Sequence, residues 1–446
     1  MSPSPAPVDA TPVHDLVGIG FGPSNLALAV AVREHNETAA PHERLTPVFV
    51  ERQRAFGWHR GMLIEGATMQ VSFLKDLATM RNPVSRHSFL SYLQDKGRLV
   101  DFINHKEFFP TREEFHDYLS WAAAGFDDQV SYGEEVVRVG LTADADGTPL
   151  FEVVSQDVSD PGRTTSRLAR NVVVAVGLTP YLPDGVTESK RIWHSGNLLH
   201  ELDRHETGRA RRFVVVGAGQ SAAEIAEYLH RSHPGAELCA VFSRYGYSPS
   251  DDSPYANRIF DPEAVDVYYE ADDALKRRLM GYHRNTNYAV ADLDLIEELY
   301  RRAYQEKVRG EERLRILNVS RVVRAEDLGD QVTVTVEHLP SGSTERFEAD
   351  AVVYATGYRP TDLRGLLSGL ESAYEWDADG RPLLDRDYRM RGVASVPGGL
   401  FLQGGTEHTH GITSSLLSLA AVRAGEILDS VLAGRPAPGR DAAANR

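Results

Sequence analysis

Apolar and polar positions along this chain follow two rhythms, and the rhythm switches at two similar places. At the first, the apolar pair Leu16-Val17 runs into Gly18-Ile19-Gly20-Phe21-Gly22-Pro23, after which Leu26, Ala27, Ala29 and Val30 read as the buried side of a helix. At the second, the strand Phe213–Val216 runs into Gly217-Ala218-Gly219-Gln220-Ser221-Ala222 and a helix over Ala222–Leu229. A further apolar strand follows each unit, Pro47–Val50 after the first and Leu238–Phe242 after the second. Two more apolar strands end in glycine: Asn171–Gly177, followed by Thr179-Pro180, and Ala351–Pro360. They flank the second unit, as expected where a chain leaves one domain for another and returns. An amphipathic helix over Leu293–Tyr300, a last strand over Leu400–Gln403 before Gly404-Gly405, and a helix from near Ser414 complete the pattern. It predicts an α/β fold with two dinucleotide-binding, Rossmann-like domains, one inserted into the other.

Composition narrows the function classes. A length of 446 residues supports two or three domains. With 48 basic and 64 acidic residues the net charge is −16, which repels phosphate backbones and anionic lipid, so neither nucleic acid nor a membrane is an expected partner. The one cysteine, Cys239, excludes an intrachain disulfide framework and any metal site built from cysteines. It fits a reducing, cytoplasmic compartment. Residues Met1–Val13 are rich in Pro, Ala and Ser and carry no targeting pattern, and no apolar run approaches the ~20 residues of a membrane helix.

The two glycine turns carry the chemistry. Gly18 permits the sharp turn, and Gly20 lets the backbone approach a pyrophosphate resting on the helix N-terminus. Pro23 stands where a third glycine belongs, but proline is sterically good in a first helical turn. The next strand ends at Glu51, whose carboxylate suits ribose hydroxyls and repels a ribose phosphate, so this site should hold FAD or NAD. The second turn reads G-x-G-x-x-A, and its following strand ends in Ser243-Arg244. A hydroxyl and a guanidinium suit a 2′-phosphate, hence NADPH; a solvated surface residue is the lesser alternative for Arg244. Two dinucleotide sites of opposite preference imply a resident flavin and a nicotinamide hydride donor. The domains are expected as a disordered lead at 1–13, an FAD-binding domain at 14–204 and 360–432, an NADPH-binding domain at 205–359 with a small substrate-binding region over 250–310, and a disordered tail at 433–446.

Several longer stretches are more specific: V-G-I-G-F-G-P-S-N-L-A-L-A from Val17, W-H-R-G-M from Trp58, M-Q-V-S-F-L-K-D-L-A-T from Met69, D-D-S-P-Y-A-N-R-I-F from Asp251, H-R-N-T-N-Y from His283 and E-H-T-H-G-I-T-S-S-L-L-S from Glu407. On these the chain resembles the flavin-dependent N-hydroxylating monooxygenases, the ornithine/lysine N-monooxygenases, from about Val13 to Leu432. The G-F-G-P form of the flavin turn is itself what that family shows. The resemblance implies that Gly18, Gly20, Gly22, Pro23, Glu51, Trp58, His59, Gln70, Val136 and Gly411, Ile412, Thr413 and Ser414 line FAD, with Gln70 near the isoalloxazine and Val136 near the adenine. It assigns Gly217, Ala218, Gly219, Gln220, Ser221, Arg244, Asn287, Tyr288 and Ala289 to NADPH. It assigns Lys75, Asn257, Phe260, Asn287 and Ser414 to the substrate, with Lys75 on an amino-acid carboxylate and Lys75, Asn257 and Asn287 as the residues that carry catalysis. The implied reaction is N5-hydroxylation of L-ornithine with NADPH, O2 and FAD through a C4a-hydroperoxyflavin, for siderophore or related hydroxamate biosynthesis. L-Lysine or a diamine is the alternative substrate, and a homo-oligomer is expected.

Taken alone, these residues leave other roles open. Lys75 follows Val71-Ser72-Phe73-Leu74, where a lysine needs an anion or must snorkel to water. Asn257 lies in a turn-rich loop, and Asn285 and Asn287 precede the amphipathic helix that either could cap. Glu407, His408 and His410 have no further clustered ligands, so no metal is expected. A flavin disulfide reductase needs a cysteine pair that the chain lacks. In Trp193-His194-Ser195-Gly196 the histidine precedes the glycine, so the F-x-G-x-x-x-H fingerprint of Baeyer–Villiger monooxygenases is not found. A redox-sensing flavoprotein is the non-enzymatic alternative, and NADPH oxidation stimulated by an amine would distinguish it.

Overall fold

Two five-stranded sheets, each entirely parallel, organise the computed structural model, which describes residues 12–144, 146–205, 208, 210–393, 396 and 398–435. The first runs Leu400–Leu402, Val172–Val174, Leu16–Ile19, Pro47–Glu51, Val130–Tyr132. The second runs Ile192–His194, Ala351–Tyr354, Arg212–Val216, Glu237–Val241, Leu314–Leu317. Their central strands are apolar on both faces because both faces are covered, as parallel sheets require. On the first sheet the covering helices are Pro23–Thr38 and Ala420–Ala433, packed against each other; on the second, Gln220–Ser232 packs against Leu293–Arg309.

The two halves repeat one design. A three-stranded antiparallel meander, Glu134–Ala143, Pro149–Asp157 and Thr164–Ala169, feeds the strand Val172–Val174. A second, Ser320–Asp327, Val332–His338 and Thr344–Ala349, feeds Ala351–Tyr354. Each feeding strand reaches a left-handed glycine, Gly177 at φ 75° or Gly357 at φ 81°, and the two outgoing segments Leu178–Pro180 and Tyr358–Pro360 pair with each other. The expected interdomain crossings are therefore hydrogen-bonded together. The segment between the sheets and the long helix folds as a 3₁₀ turn at Ala256–Phe260, helices Pro262–Glu270 and Asp273–His283, and a turn at Arg284–Thr286.

Several boundaries differ from expectation. Val13 already pairs with Leu168, and Arg435 donates to the Glu43 carbonyl (2.6 Å), so the expected loose termini reach less far inward; residues 1–11 and 436–446 lie outside the described residues. Ile192–His194 belongs to the second sheet, so by sheet membership the crossover precedes 192 rather than falling at 205. The amphipathic helix runs on to Arg309 and stops at Gly310 in the left-handed region (φ 73°). Its N-cap is Asp292, which accepts from the Asp294 N–H at 3.1 Å, so neither Asn285 nor Asn287 caps it. The helix expected from Ser414 begins at Ala420; Ile412–Ser415 is a 3₁₀ turn, because the Ser414 hydroxyl folds back onto the Gly411 carbonyl (2.7 Å). Among the described residues no helix is long and apolar enough to cross a membrane.

Candidate active site

The first glycine turn is built by close approach. A Cβ on Gly20, which sits at φ 83°, would lie 2.5 Å from the Ala175 carbonyl oxygen, so only glycine lets the strand end pass its neighbour. Gly22 caps the Pro23–Thr38 helix with no side-chain cap and no acid in the first turn, and the space beside it is open. The orphan N–H groups and the positive end of the helix dipole therefore remain available to an anion. Glu51 is buried, and its two oxygens accept from the Phe21 N–H (2.7 Å) and the Gln53 N–H (2.8 Å), each keeping lone-pair capacity for ribose hydroxyls. Val136 leans on the core that contains Val17, Ile19 and Val50.

Behind this turn lies a residue that sequence reading missed. Arg423 is 1% exposed and forms no ion pair among the described residues. Its guanidinium donates to the Gln403 side chain (3.3 Å), to the Ser24 hydroxyl in the first helical turn (3.1 Å) and to the Ser414 carbonyl. Gln403 in turn donates to Asn25 (3.0 Å), whose amide holds the Gly20 carbonyl (2.7 Å). Burial pushes the Arg423 pKa down. The signal in the sequence was an arginine inside the otherwise apolar run A-A-V-R-A-G. Nearby, the Thr413 hydroxyl is buried without a partner. An uncapped helix start, a buried carboxylate at a ribose position, a buried cation behind the turn and an orphaned hydroxyl in the 411–414 loop fit a dinucleotide carrying a flavin.

Residues 52–88 hold little regular structure, so tertiary contacts position them. Trp58 packs edge-on against His59 (4.7 Å) and Phe115 (6.1 Å), and Gln70 is exposed beside Met69, whose N–H reaches the Pro110 carbonyl (2.9 Å). Asp76 is buried and accepts from the Ala78, Thr79 and Phe89 N–H groups (2.9, 2.6 and 2.7 Å) and from the Thr79 hydroxyl (2.9 Å). This pins the loop that carries Lys75. The Lys75 side chain is half-buried, makes no ion pair among the described residues, and lies 6.0 Å from the centre of the Phe260 ring. Phe260 ends the 3₁₀ turn that holds Asn257, whose amide donates to the Asp252 carbonyl (2.9 Å), and this turn packs against Ile412–Ser415. Lys75, the turn of Asn257 and Phe260, and Ser414, far apart in sequence, thus share one neighbourhood.

Asn287 joins it from another side. Segment 285–291 runs beside 248–251, with Ala291 N–H on Ser248 O (2.9 Å) and Asp251 N–H on Asn285 O (3.3 Å). Asn287 is exposed, and the Tyr288 hydroxyl next to it donates to Glu407. Burial raises the Glu407 pKa, and the Tyr288 hydrogen bond works against that rise. Glu407 opens the short helix that ends at Gly411, so this bond ties the Asn287 segment to the 411–414 loop. The other polar side chains of E-H-T-H diverge: His408 donates to the Pro382 carbonyl (2.8 Å) and His410 to the Arg386 carbonyl (3.1 Å).

At the second glycine turn a Cβ on Gly217 would lie 2.4 Å from Ala355 O, the same device as at Gly20. Gly219 caps the Gln220–Ser232 helix without a side-chain cap or first-turn acid, and Ala218 is half-buried between the two glycines. The Gln220 side chain is already committed: it accepts from Asp292 N–H (2.7 Å) and donates to Glu224 (2.9 Å). What Gln220 can offer a phosphate is therefore its main-chain N–H. Ser221 stands beside it in the first turn. Glu224 forms a two-point pair with Arg112 (3.0 and 2.8 Å), which also holds the Met62 carbonyl (3.0 Å) and so links this helix to the first half of the chain. Arg244 is exposed at its strand end and spends one donor on the carbonyl of Ala289 (2.7 Å), a residue held at φ 55°.

Comparison with known proteins finds relatives along nearly the whole chain. Residues 12–360 match the family model described as L-lysine 6-monooxygenase/L-ornithine 5-monooxygenase. The L-ornithine N(5)-monooxygenase of Burkholderia cepacia is 41% identical over 432 residues, covering 95% of this chain and 96% of its own. Among solved structures, the ornithine N-hydroxylase of Kutzneria sp. 744, with reduced FAD, NADP+ and L-ornithine, superposes at a TM-score of 0.88 with 46% identity, over 94% of this chain and 99% of its own. The ornithine hydroxylase of Pseudomonas aeruginosa gives a TM-score of 0.87 and 35% identity, over 95% and 99%. With a family match over most of its length and near-complete mutual coverage with these relatives, the chain belongs to the L-lysine 6-monooxygenase/L-ornithine 5-monooxygenase family.

Proposed function

We propose that this protein is a cytoplasmic enzyme that hydroxylates L-ornithine at N5 with NADPH, O2 and FAD, for the biosynthesis of a siderophore or related hydroxamate. The observation that carries the choice of an amino acid is Lys75, a half-buried ammonium without an ion-pair partner among the described residues, set against the turn of Asn257 and Phe260. A half-buried cation without a counter-charge is suited to an incoming carboxylate. Bound FAD would supply the hydride acceptor and, once reduced, the means of passing one oxygen atom of O2 to an amine.

The chain's own residues bind, orient and exclude water. Glu51 would take the adenosine ribose of FAD, the Pro23–Thr38 helix start its pyrophosphate, and Gly411, Ile412, Thr413 and Ser414 the flavin edge. The N-terminus of the Gln220–Ser232 helix would take the NADPH pyrophosphate and Arg244 its 2′-phosphate. Asn257 and Asn287 would orient the side-chain amine through uncharged amides, which do not favour the cation as a carboxylate would.

On this reading Arg244 would have two tasks, the 2′-phosphate and the Ala289 carbonyl, and they separate by measurement. Arg244→Ala should raise the NADPH KM by roughly tenfold, the loss of about one charge-assisted hydrogen bond, and shrink the NADPH/NADH preference. Loss of the brace on Ala289 should lower coupling with either nucleotide. An unchanged NADPH/NADH ratio would remove Arg244 as the phosphate reader. The substrate is tested by an amine panel, with hydroxylamine product assayed beside NADPH consumption. L-Ornithine should exceed L-lysine, putrescine and cadaverine in kcat/KM; a diamine at the head of the order would overturn the carboxylate role of Lys75.

A further inference from the structure

Arg423 is a cation that the fold buries without a counter-charge. It is 1% exposed near the start of the Ala420–Ala433 helix. Each of its three guanidinium nitrogens donates to a neutral acceptor: the Gln403 side-chain oxygen (3.3 Å), the Ser24 hydroxyl (3.1 Å) and the Ser414 carbonyl. No carboxylate lies within ion-pair distance of it among the described residues. Glu426, on the same helix, acts on it only at longer range and is committed to Arg386 (2.9 Å). Neutral acceptors satisfy the N–H groups, but they do not restore what a full charge loses on leaving water. An uncharged side chain could fill this place, so the charge itself calls for an anion that the chain does not supply.

The three acceptors point to where that anion sits. Ser24 stands in the first turn of the Pro23–Thr38 helix, whose start has no capping side chain, no first-turn acid and open space beside Gly22. Gln403 leads through Asn25 to the Gly20 carbonyl. Ser414 closes the 411–414 loop. All three bonds therefore end on the walls of the first glycine turn and of the loop beside it. The Ser24 hydroxyl is half-buried, accepts from Arg423, and donates to nothing among the described residues. Its proton is free for an incoming oxygen, and a guanidinium on its lone pair makes that proton a stronger donor.

We propose that Arg423 is the resident counter-charge of the FAD pyrophosphate, acting through the Ser24 hydroxyl. The proposal rests on the reading that the first glycine turn holds FAD. It makes the dinucleotide part of the electrostatic balance of the fold. Without FAD the cation is unneutralised; with FAD it faces two phosphate charges across one hydroxyl. A purely structural arginine would show the opposite pattern on replacement, a weaker fold with unchanged FAD affinity.

The test is thermal melting of the full-length protein over a range of FAD concentrations, with FAD dissociation constants from flavin fluorescence. A ligand raises the midpoint according to its affinity. Arg423→Met keeps the length of the side chain without its charge. Its FAD dissociation constant should rise at least tenfold, while its FAD-free midpoint stays at or above that of wild-type, because an unpaired buried charge has gone. Arg423→Lys keeps the charge without the planar fork and should fall between the two. Ser24→Ala should weaken FAD severalfold, yet add less than about threefold when combined with Arg423→Met, because both act on one contact. A wild-type midpoint that does not respond to FAD would overturn the reading of the turn, and the proposal with it. A responsive wild-type beside an Arg423→Met variant that melts lower without FAD and binds FAD within threefold of wild-type would leave that reading intact and overturn the proposal. Ser24 lies outside the apolar core, so its variant decides even where Arg423→Met does not fold: an unchanged FAD dissociation constant in Ser24→Ala would overturn the proposal as well.

Discussion

Lys75→Ala should lose ornithine turnover while NADPH still reduces the flavin. The ammonium sits on a loop fixed by the four hydrogen bonds to Asp76, and no protein carboxylate neutralises it among the described residues, so a substrate carboxylate meets a charge already in position. A charge-assisted hydrogen bond of this kind contributes roughly 1.5–3 kcal/mol. Its loss converts to about a ten- to hundredfold rise in the ornithine KM. The deficit should be confined to substrates with a carboxylate: putrescine, slow in the wild-type, should be little slower in the variant. Stopped-flow reduction of the flavin by NADPH should stay within a few-fold of wild-type. An ornithine KM within threefold of wild-type would remove Lys75 from substrate binding.

Asn287→Ala should spill reducing equivalents into hydrogen peroxide. Asn287 is exposed just before two tethered residues, Tyr288 bound to Glu407 and Ala289 held by Arg244, and in the proposed function its amide is the group that amine and nicotinamide would share. The nitrogen must present a lone pair, yet a free aliphatic amine has a pKa of about 10.4, which at pH 7 disfavours the neutral form by roughly 4.6 kcal/mol. No base was evident in the sequence. In the structure Glu407 accepts from the Tyr288 hydroxyl next to Asn287, and burial raises its pKa. As pH rises the amine loses its proton and gains the lone pair the reaction needs. Hydroxylated product per NADPH should therefore climb from pH 7 to about 9 in the wild-type, while flavin reduction changes little. In Asn287→Ala the ratio should fall severalfold at every pH. A flat wild-type profile together with full coupling in the variant would contradict this account of how the nucleophile is prepared.

What the chain disclosed in advance follows from locality. A glycine turn, the strand before it and the residue ending the next strand lie within some forty residues and obey short-range rules, so the turns at Gly20 and Gly217 and the strand ends at Glu51 and Arg244 could be located directly. The crossings at Gly177 and Gly357 were legible for the same reason, but that they pair with each other was not, since pairing is a tertiary choice. The same holds for Ile192–His194, a short apolar strand that fits either sheet until its neighbour is known. Side-chain commitments were the hardest to foresee. Gln220 has the right position for NADPH, yet its amide is spent on Asp292 and Glu224. Arg423 and Glu407 are separated in sequence from nearly everything they touch, Ser24 and Tyr288 included. Only packing brings such partners together, and both residues flank the loop on which the proposed chemistry depends.

The central claim is that one oxygen atom of O2 ends on the side-chain nitrogen of L-ornithine at the expense of one NADPH. The direct test supplies the FAD-loaded protein with L-ornithine, NADPH and isotopically labelled dioxygen, and measures product mass and fragmentation against NADPH consumed. The account predicts N5-hydroxyornithine carrying one labelled oxygen, in near one-to-one ratio with NADPH oxidised, and none without NADPH. NADPH consumption that yields only hydrogen peroxide with ornithine, while lysine or a diamine gains the label, would contradict it.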